Sequence, residues 1–386
     1  MLWSALVTLP LMGAVQEMCD RTALTTGKGL GELAVQRFTH RTRRLLVVLI
    51  AVLILANSLN IAADLVAIGA GMHLLGLGPQ LVWALVAGVA VTVMITTGSF
   101  DQIARVFKIL CLSLLAYVGV LWLAHPSWSQ IATHTLIPHV QLSGEYAGLL
   151  VAVLGTTISP YLFFWQSAHR VEELRDESSG GKAVGLKDRS RTSASEKERT
   201  SRLDVFTGMT FSNVVMFSII VAGAQLAAHG THDIASAADA AQALRPVVGS
   251  SAKLLFALGF IGSGMLAIPV LAGSGAVGLA GLLGRGWGFE KSVKDAPVFY
   301  SLVAAGTLGG TVLTLLNVNP IRLLVIVAMV NGFAAAPFLI VVLIIANDRS
   351  IMHSHRNGRA ANILVGITIA IMALAAVVLV VTHGGS

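Results

Sequence analysis

The sequence predicts an all-α polytopic membrane protein with about ten transmembrane helices, and three observations carry that prediction. Charged residues make up 12% of the 386 and hydrophobic ones 55%, with a mean hydropathy of +0.80; soluble domains carry roughly 25% charged residues. A water-soluble chain of this size could not enclose so much apolar surface, and large exposed patches associate. The apolar residues also fall in stretches long enough to cross about 30 Å of hydrocarbon, which takes ~20 helical residues. Finally, the cationic residues gather in alternate loops. A cytosolic enzyme, a nucleic-acid binder and a disordered adaptor are excluded, despite a net charge of +7.

In chain order the spans run over 2–19, 45–72, 80–98, 105–124, 146–168, 204–228, 253–283, 297–317, 322–346 and 362–382. The stretch 253–283 is too long for one straight helix. Its Gly262, Gly264, Pro269, Gly273 and Gly275 predict a bend or break. Of the 26 Lys and Arg, only Arg245, Lys253 and Arg322 fall outside one set of alternate loops. Cationic loops are retained in the cytoplasm, so 20–44, 169–203 and 347–361 are expected to face inward, beside anionic lipid headgroups. The expected setting is the inner (plasma) membrane of the cell, with residues 1–386 as one multi-pass transmembrane domain. That orientation runs the first helix from outside to inside over an even number of spans, so either the topology is unusual or a helix that should precede Met1 is missing. The segment 172–203, rich in Ser, Gly, Lys, Arg and Glu, is expected to be a disordered cytoplasmic loop between the two halves. Cys19 and Cys111 form no disulfide framework or metal-ligand spacing. The oligomeric state is not readable.

Polar groups and helix breaks inside a bilayer are costly unless they face a cavity or another helix. The fifth stretch contains Gly155-Thr156-Thr157-Ile158-Ser159-Pro160-Tyr161. Pro160 lacks a backbone donor and collides with the carbonyl about four residues back. Either the helix breaks, aiming the carbonyls of its first half at the midplane as a cation site, or it only kinks, with Thr and Ser bonding back to their own helix. Asn57, Asn60 and Asp64 share one helical face. Asp64 is an ionisable group in an apolar run and a functional candidate; the asparagines either line a pathway or bridge helices. Asn331, before Pro337-Phe338, is a candidate wall of the same pathway. His229, His232 and Asp233 form a small metal-like patch in a loop. Intramembrane enzymes find no support: there is no His-Glu-x-x-His, no Gly-x-Ser-Gly, and no histidine in the spans to complete a dyad.

The residues also resemble a known family. Leu9-Pro10-Leu11-Met12, Gln16-Glu17, Arg21 and Thr26-Gly27-Lys28-Gly29-Leu30 resemble the second helix and following loop of the Nramp (natural-resistance-associated macrophage protein) divalent-metal transporters. Asn57 to Gly69 is similar to their third helix. Gly155 to Tyr161 stands where that family has Gly-Ala-Thr-Val-Met-Pro-His, and 254–281 and 323–343 are similar to its eighth and tenth helices. The resemblance implies an inverted-repeat fold of the amino-acid-transporter type, present here as family helices 2–11. It implies metal held between unwound first and sixth helices, with the first helix and its Asp-Pro-Gly-Asn motif lying before Met1. Carried over, Thr156 takes the backbone-carbonyl ligand position, Ser159 replaces a ligand methionine and Tyr161 a histidine. Asp64 matches a proton-route aspartate, while Ala67 stands where a glutamate is usual. Helix 297–316 lacks the arginines that partner that route. A hydroxyl or bound water suits Mg²⁺ or Mn²⁺ better than softer ions, and the pattern is similar to the Nramp-related magnesium transporters. The implied function is alternating-access transport of divalent cations, Mg²⁺ or Mn²⁺ favoured and Fe²⁺ next, possible without proton coupling. The metal is the cargo and no cofactor is expected. Candidate metal residues are Thr156, Ser159 and Asn331, with Asp64, Asn57, Asn60 and Tyr161 on the pathway. The alternatives are an organic-solute carrier on the same fold and a non-transporting membrane scaffold.

Overall fold

The structure, a computed structural model, describes residues 1–97, 100–123, 126–141, 143–177, 182–228, 252–316 and 320–383. The patch at His229, His232 and Asp233, and Arg245, lie outside the described residues. Among those described there is no strand. The helices are α1 (Trp3–Thr26), α2 (Leu30–Arg37), α3 (His40–Leu74), α4 (Gln80–Thr97), α5 (Phe100–Ser113), α6 (Leu115–Leu123), α7 (Trp128–Leu136), α8 (Gly144–Thr157) and α9 (Pro160–Glu177). They continue as α10 (Arg191–Ala228), α11 (Ala252–Leu282), α12 (Pro297–Leu313), α13 (Pro320–Asn347), α14 (Arg349–Met352) and α15 (Arg359–His383).

Among the described residues, nine stretches are long and apolar enough to cross a membrane. The tenth expected span, α1, has 24 residues, about 36 Å at 1.5 Å each, but Gln16, Glu17, Asp20 and Arg21 lower its hydropathy. All four are buried, so they face protein and not lipid. Gly27 ends α1 in the left-handed conformation at φ 64°, its N–H bonding the Ala23 carbonyl at 2.8 Å, as expected of a C-terminal glycine.

The 35-residue α3 is the central column, packed along α11 and flanked by α4, α12 and α13. The break expected in 253–283 does not occur: α11 runs unbroken through Pro269. Its glycines serve close packing. A Cβ on Gly264 would lie 3.0 Å from the Asp64 carbonyl oxygen, one on Gly273 2.9 Å from Trp165, and one on Gly275 2.6 Å from Ile54. Small residues that let helices approach carry no obligation to bend.

The disordered loop expected over 172–203 is also corrected. Helix α9 continues to Glu177 and α10 begins at Arg191. Leu186 and Ala194 are buried against Leu24 and Leu174. Lys197 bonds Glu173 at 3.0 Å and also reaches Glu177, and Arg189 bonds Glu177 at 2.9 Å. Opposite charges at matching positions order a segment whose composition alone reads as solvated.

Segments 20–44, 169–203 and 347–361 meet at one end of the molecule, as the charge pattern predicts. Arg37 pairs with Asp348 at 2.5 Å, Arg202 with Glu17 at 3.4 Å, and Arg21 bonds Asn357. Arg175 lies 4.7 Å above the Trp287 ring and bonds Glu290 at 2.8 Å, joining this basic end to the 285–296 loop. Asp348 caps α14, accepting from Ser350 N at 2.8 Å and Ser350 Oγ at 2.6 Å. The Ser350 hydroxyl hydrogen bond foremost holds its carboxyl below the usual range. Such a group adds stability that is present above its unfolded pKa and lost as pH falls through the lower folded one. Asp348→Ala should therefore cost about 1 kcal/mol near neutral pH. Melting of the detergent-solubilised variant and parent should converge in strong acid, where the cap is protonated in both states.

Candidate functional site

The segment 155–161 breaks the helix. Helix α8 stops at Thr157, Ile158 leaves helical geometry at φ −120°, ψ 54°, and α9 restarts with Pro160 as its first residue, where its missing N–H costs nothing. Ile158 N still reaches the Leu154 carbonyl at 2.8 Å, and Leu162 N reaches Ser159 O at 3.0 Å. Among the described residues no backbone N–H crosses the gap to the carbonyls of Gly155, Thr156 or Thr157. Part of the kink reading also holds. The Ser159 hydroxyl donates to the Gly155 carbonyl and approaches Thr156 O at 3.3 Å, and Thr157 Oγ1 donates to Val153 O at 2.8 Å. Those hydroxyl protons stay within the helix, leaving the Ser159 oxygen lone pairs as acceptors.

A cavity of about 500 Å³ opens beside this break. It is lined by Asn60 and Asp64 of α3, by Thr156, Thr157, Ser159 and Tyr161 at the break, and by Asn331 of α13. Six of the seven sequence candidates thus share one space, although they come from three separate parts of the chain. Asn57 does not. Its Nδ2 donates to Leu271 O at 2.9 Å and to Ser274 Oγ at 3.2 Å, so α11 covers the face of α3 at that level and Asn57 bridges the two helices. Asn57 lies about 4.5 Å along the axis from Asn60, with its amide bonded to α11 instead of lining the cavity.

Asp64 makes no ion pair among the described residues, and the Asn331 side-chain oxygen is buried without a hydrogen-bond partner. Asp64, Asn60, Thr156, Thr157, Ser159 and Asn331 thus form a polar patch in a cavity whose remaining wall is apolar, with Leu149, Val153, Ile220 and Leu324 among its lining. No cluster of three His, Cys, Asp or Glu able to hold a metal occurs among the described residues. The polar groups lining the cavity are amides, hydroxyls and one carboxylate, which are hard oxygen donors.

Two features were missed from sequence. Met216 of α10 places a thioether on the cavity wall; nothing in the spacing of α10 brings it to α8. Gly155 faces α13, where a Cβ would strike the Ala328 carbonyl oxygen and lie 2.6 Å from Gly332 N. The Gly155 and Gly332 pair in the sequence was the available signal. Ile158, Phe163, Phe338 and Leu339 are buried in one apolar cluster, with Phe164 and Phe338 edge-to-face at 5.4 Å. The cavity lining on α10 and α13 comes from the halves remote from the basic end, and that on α8 mostly from the half next to the break.

The chain is 24% identical to the "Divalent metal cation transporter MntH" of Verminephrobacter eiseniae (strain EF01-2), over 100% of this chain and 82% of that protein. It is 26% identical to the protein of the same name from Ralstonia nicotianae, over 94% and 79%. Among solved structures, the Eremococcus coleocola manganese transporter in complex with an aromatic bis-isothiourea substituted compound superposes with a TM-score of 0.76. Identity there is 17%, covering 97% of this chain and 78% of that one. The sequence matches the "Natural resistance-associated macrophage protein-like" family, Nramp, over residues 1–382, and the chain belongs to that family.

Proposed function

We propose that this protein carries divalent metal cations across the membrane by alternating access, with the cavity at the α8–α9 break as the ion site. One observation supports the reading: Thr156 and Ser159 at a break that leaves the Gly155, Thr156 and Thr157 carbonyls without backbone donors line the same cavity as Asp64 and Asn331. Thr156, through its carbonyl, Ser159 and Asn331 would contact the ion or its water shell. Asp64 supplies the charge, and Asn60 and Tyr161 line the route. The names of the MntH relatives and of the manganese transporter support the cargo class. The basic end is assigned to the cytoplasm by the retention of cationic loops, and the proposed setting is the inner (plasma) membrane, with anionic headgroups beside that end.

Oxygen donors favour Mg²⁺ or Mn²⁺ over softer ions. Ala67 replaces the usual glutamate of the proton route and α12 has no arginine, so uptake is proposed to run without proton exchange. Uptake of Mn²⁺, Mg²⁺ and Cd²⁺ into proteoliposomes, with mixed amino acids as the competing cargo, tests the assignment. Divalent flux that leaves internal pH unchanged is expected; amino-acid flux alone would make this an organic-solute carrier, and no flux or binding a scaffold. The sulfur at Met216 sharpens the test. Met216→Leu should leave Mn²⁺ uptake within about twofold while lowering that of thiophilic Cd²⁺ severalfold; an equal loss of both would make Met216 a packing residue.

A further inference from the structure

We propose that the buried network centred on Asp20 and Arg170 is an inner latch, which fastens α9 to α1 and α10 while the cavity faces away from the basic end. The proposal rests on the transport reading above. Asp20 and Arg170 are 1% and 2% exposed, with Arg170 Nε 2.7 Å from Asp20 Oδ1. Gln166 Nε2 donates to the same oxygen at 2.9 Å, and the Ser201 hydroxyl donates to the other. The two remaining Arg170 nitrogens reach Glu173 and, at 3.3 Å, Asp204. Every strong donor and acceptor of the pair is used, by residues of three different helices.

The location matters as much as the chemistry. Helix α9 starts at Pro160, directly after Ser159, so Arg170 sits about 15 Å along the helix that leaves the break. Between Arg170 and the cavity lie the buried Phe163 and Phe164. An ion leaving the cavity toward the basic end must pass this layer, and α9 cannot withdraw while Asp20 and Arg170 remain paired. Ser167 adds a second tether, accepting Leu30 N of α2 at 3.1 Å.

A buried pair of this kind is a poor device for static stability, because apolar residues of similar volume often serve as well. It is a good device for two-position behaviour. Removing one partner leaves a charge stranded in a dry site, so partly opened arrangements are unfavourable, whereas water entering through a fully opened end solvates both charges again. The network therefore favours fully shut or fully open.

The chain carries its own reporter. Cys19 adjoins Asp20 in α1 and is 0% exposed. In a Cys111→Ala background it is the one thiol, and in nanodiscs a membrane-impermeant maleimide should modify it slowly. Arg170→Gln and Asp20→Asn should speed that reaction by at least about tenfold. Arg170→Lys should return it toward the parent rate, and Ser201→Ala should fall between. Monodisperse elution and parent-like helix content by circular dichroism verify the fold of each variant. If the charge variants fail that check, Ser201→Ala, which keeps both charges, still decides the question. Folded variants whose Cys19 stays as unreactive as the parent would overturn the latch. The reaction is read without metal, so failure here is distinct from failure of the cargo assignment, which only flux reveals.

Discussion

Asp64→Asn should lower divalent-cation uptake at least about tenfold while leaving elution and helix content unchanged. The substitution keeps size and hydrogen-bonding shape and removes only the charge. At an effective dielectric constant near 20, a carboxylate about 6 Å from a divalent ion contributes about 5 kcal/mol. Even a third of that, after dehydration of the ion, is a factor of ten in binding. Among the described residues no cation neutralises Asp64, and among the cavity-lining side chains it is the one carboxylate, so nothing nearby replaces it. Its carbonyl faces Gly264 of α11, where a Cβ would lie 3.0 Å away, which keeps the backbone of this residue fixed against its neighbour. Direct calorimetry with Mn²⁺ should show the same loss as flux. Undiminished uptake by a well-folded Asp64→Asn protein would remove the carboxylate from the route.

Gly155→Leu should abolish uptake and lower the melting temperature of the solubilised protein. The new Cβ would meet backbone atoms of α13, the Ala328 oxygen and Gly332 nitrogen, which cannot rotate away as a side chain can. Overpacking of a tight contact costs about 1–3 kcal/mol, and backbone collisions belong at the upper end. The functional loss should exceed the stability loss, because the cavity-lining Thr156 and Asn331 adjoin the two glycines of this contact. Spreading them even 1 Å separates oxygen donors that must reach one ion. Gly366→Ala is the matched control: nothing lies within 4 Å of its added carbon, so the change should leave uptake intact and stabilise α15 by up to about 1 kcal/mol. Equal behaviour of the two variants would mean the Gly155 contact has no special role.

Much of this architecture was legible because a bilayer constrains the chain so heavily. Long apolar runs have few structural options in lipid, and loop charge alone grouped 20–44, 169–203 and 347–361 at one end before any contact was known. The break at Ser159–Pro160 was readable as one of two outcomes, since proline chemistry forbids a regular helix there without deciding between bend and gap. What composition could not give was partnership. The glycines of α11 looked like breakers because their neighbours Ile54, Trp165 and Asp64 are distant in sequence. Asn57 looked like a pathway residue because helical spacing reports a face and not what covers it. The 172–203 segment looked solvated because Lys197, Glu173 and Glu177 read as free charges until folding paired them.

The two arms of the interrupted helix have different companions. Helix α8 rests on α13 and α15, whereas α9 rests on α1 and α11. The gap between them is thus an elbow whose forearm and upper arm lean on different main neighbours. Turning one arm against the other needs no helix to melt, because the dihedrals at Ile158 already lie outside the helical range. An ion seated at the joint would feel that rotation as a change in which of its oxygens stay within reach, so the grip on the cargo and the swing of the machine share a single pivot.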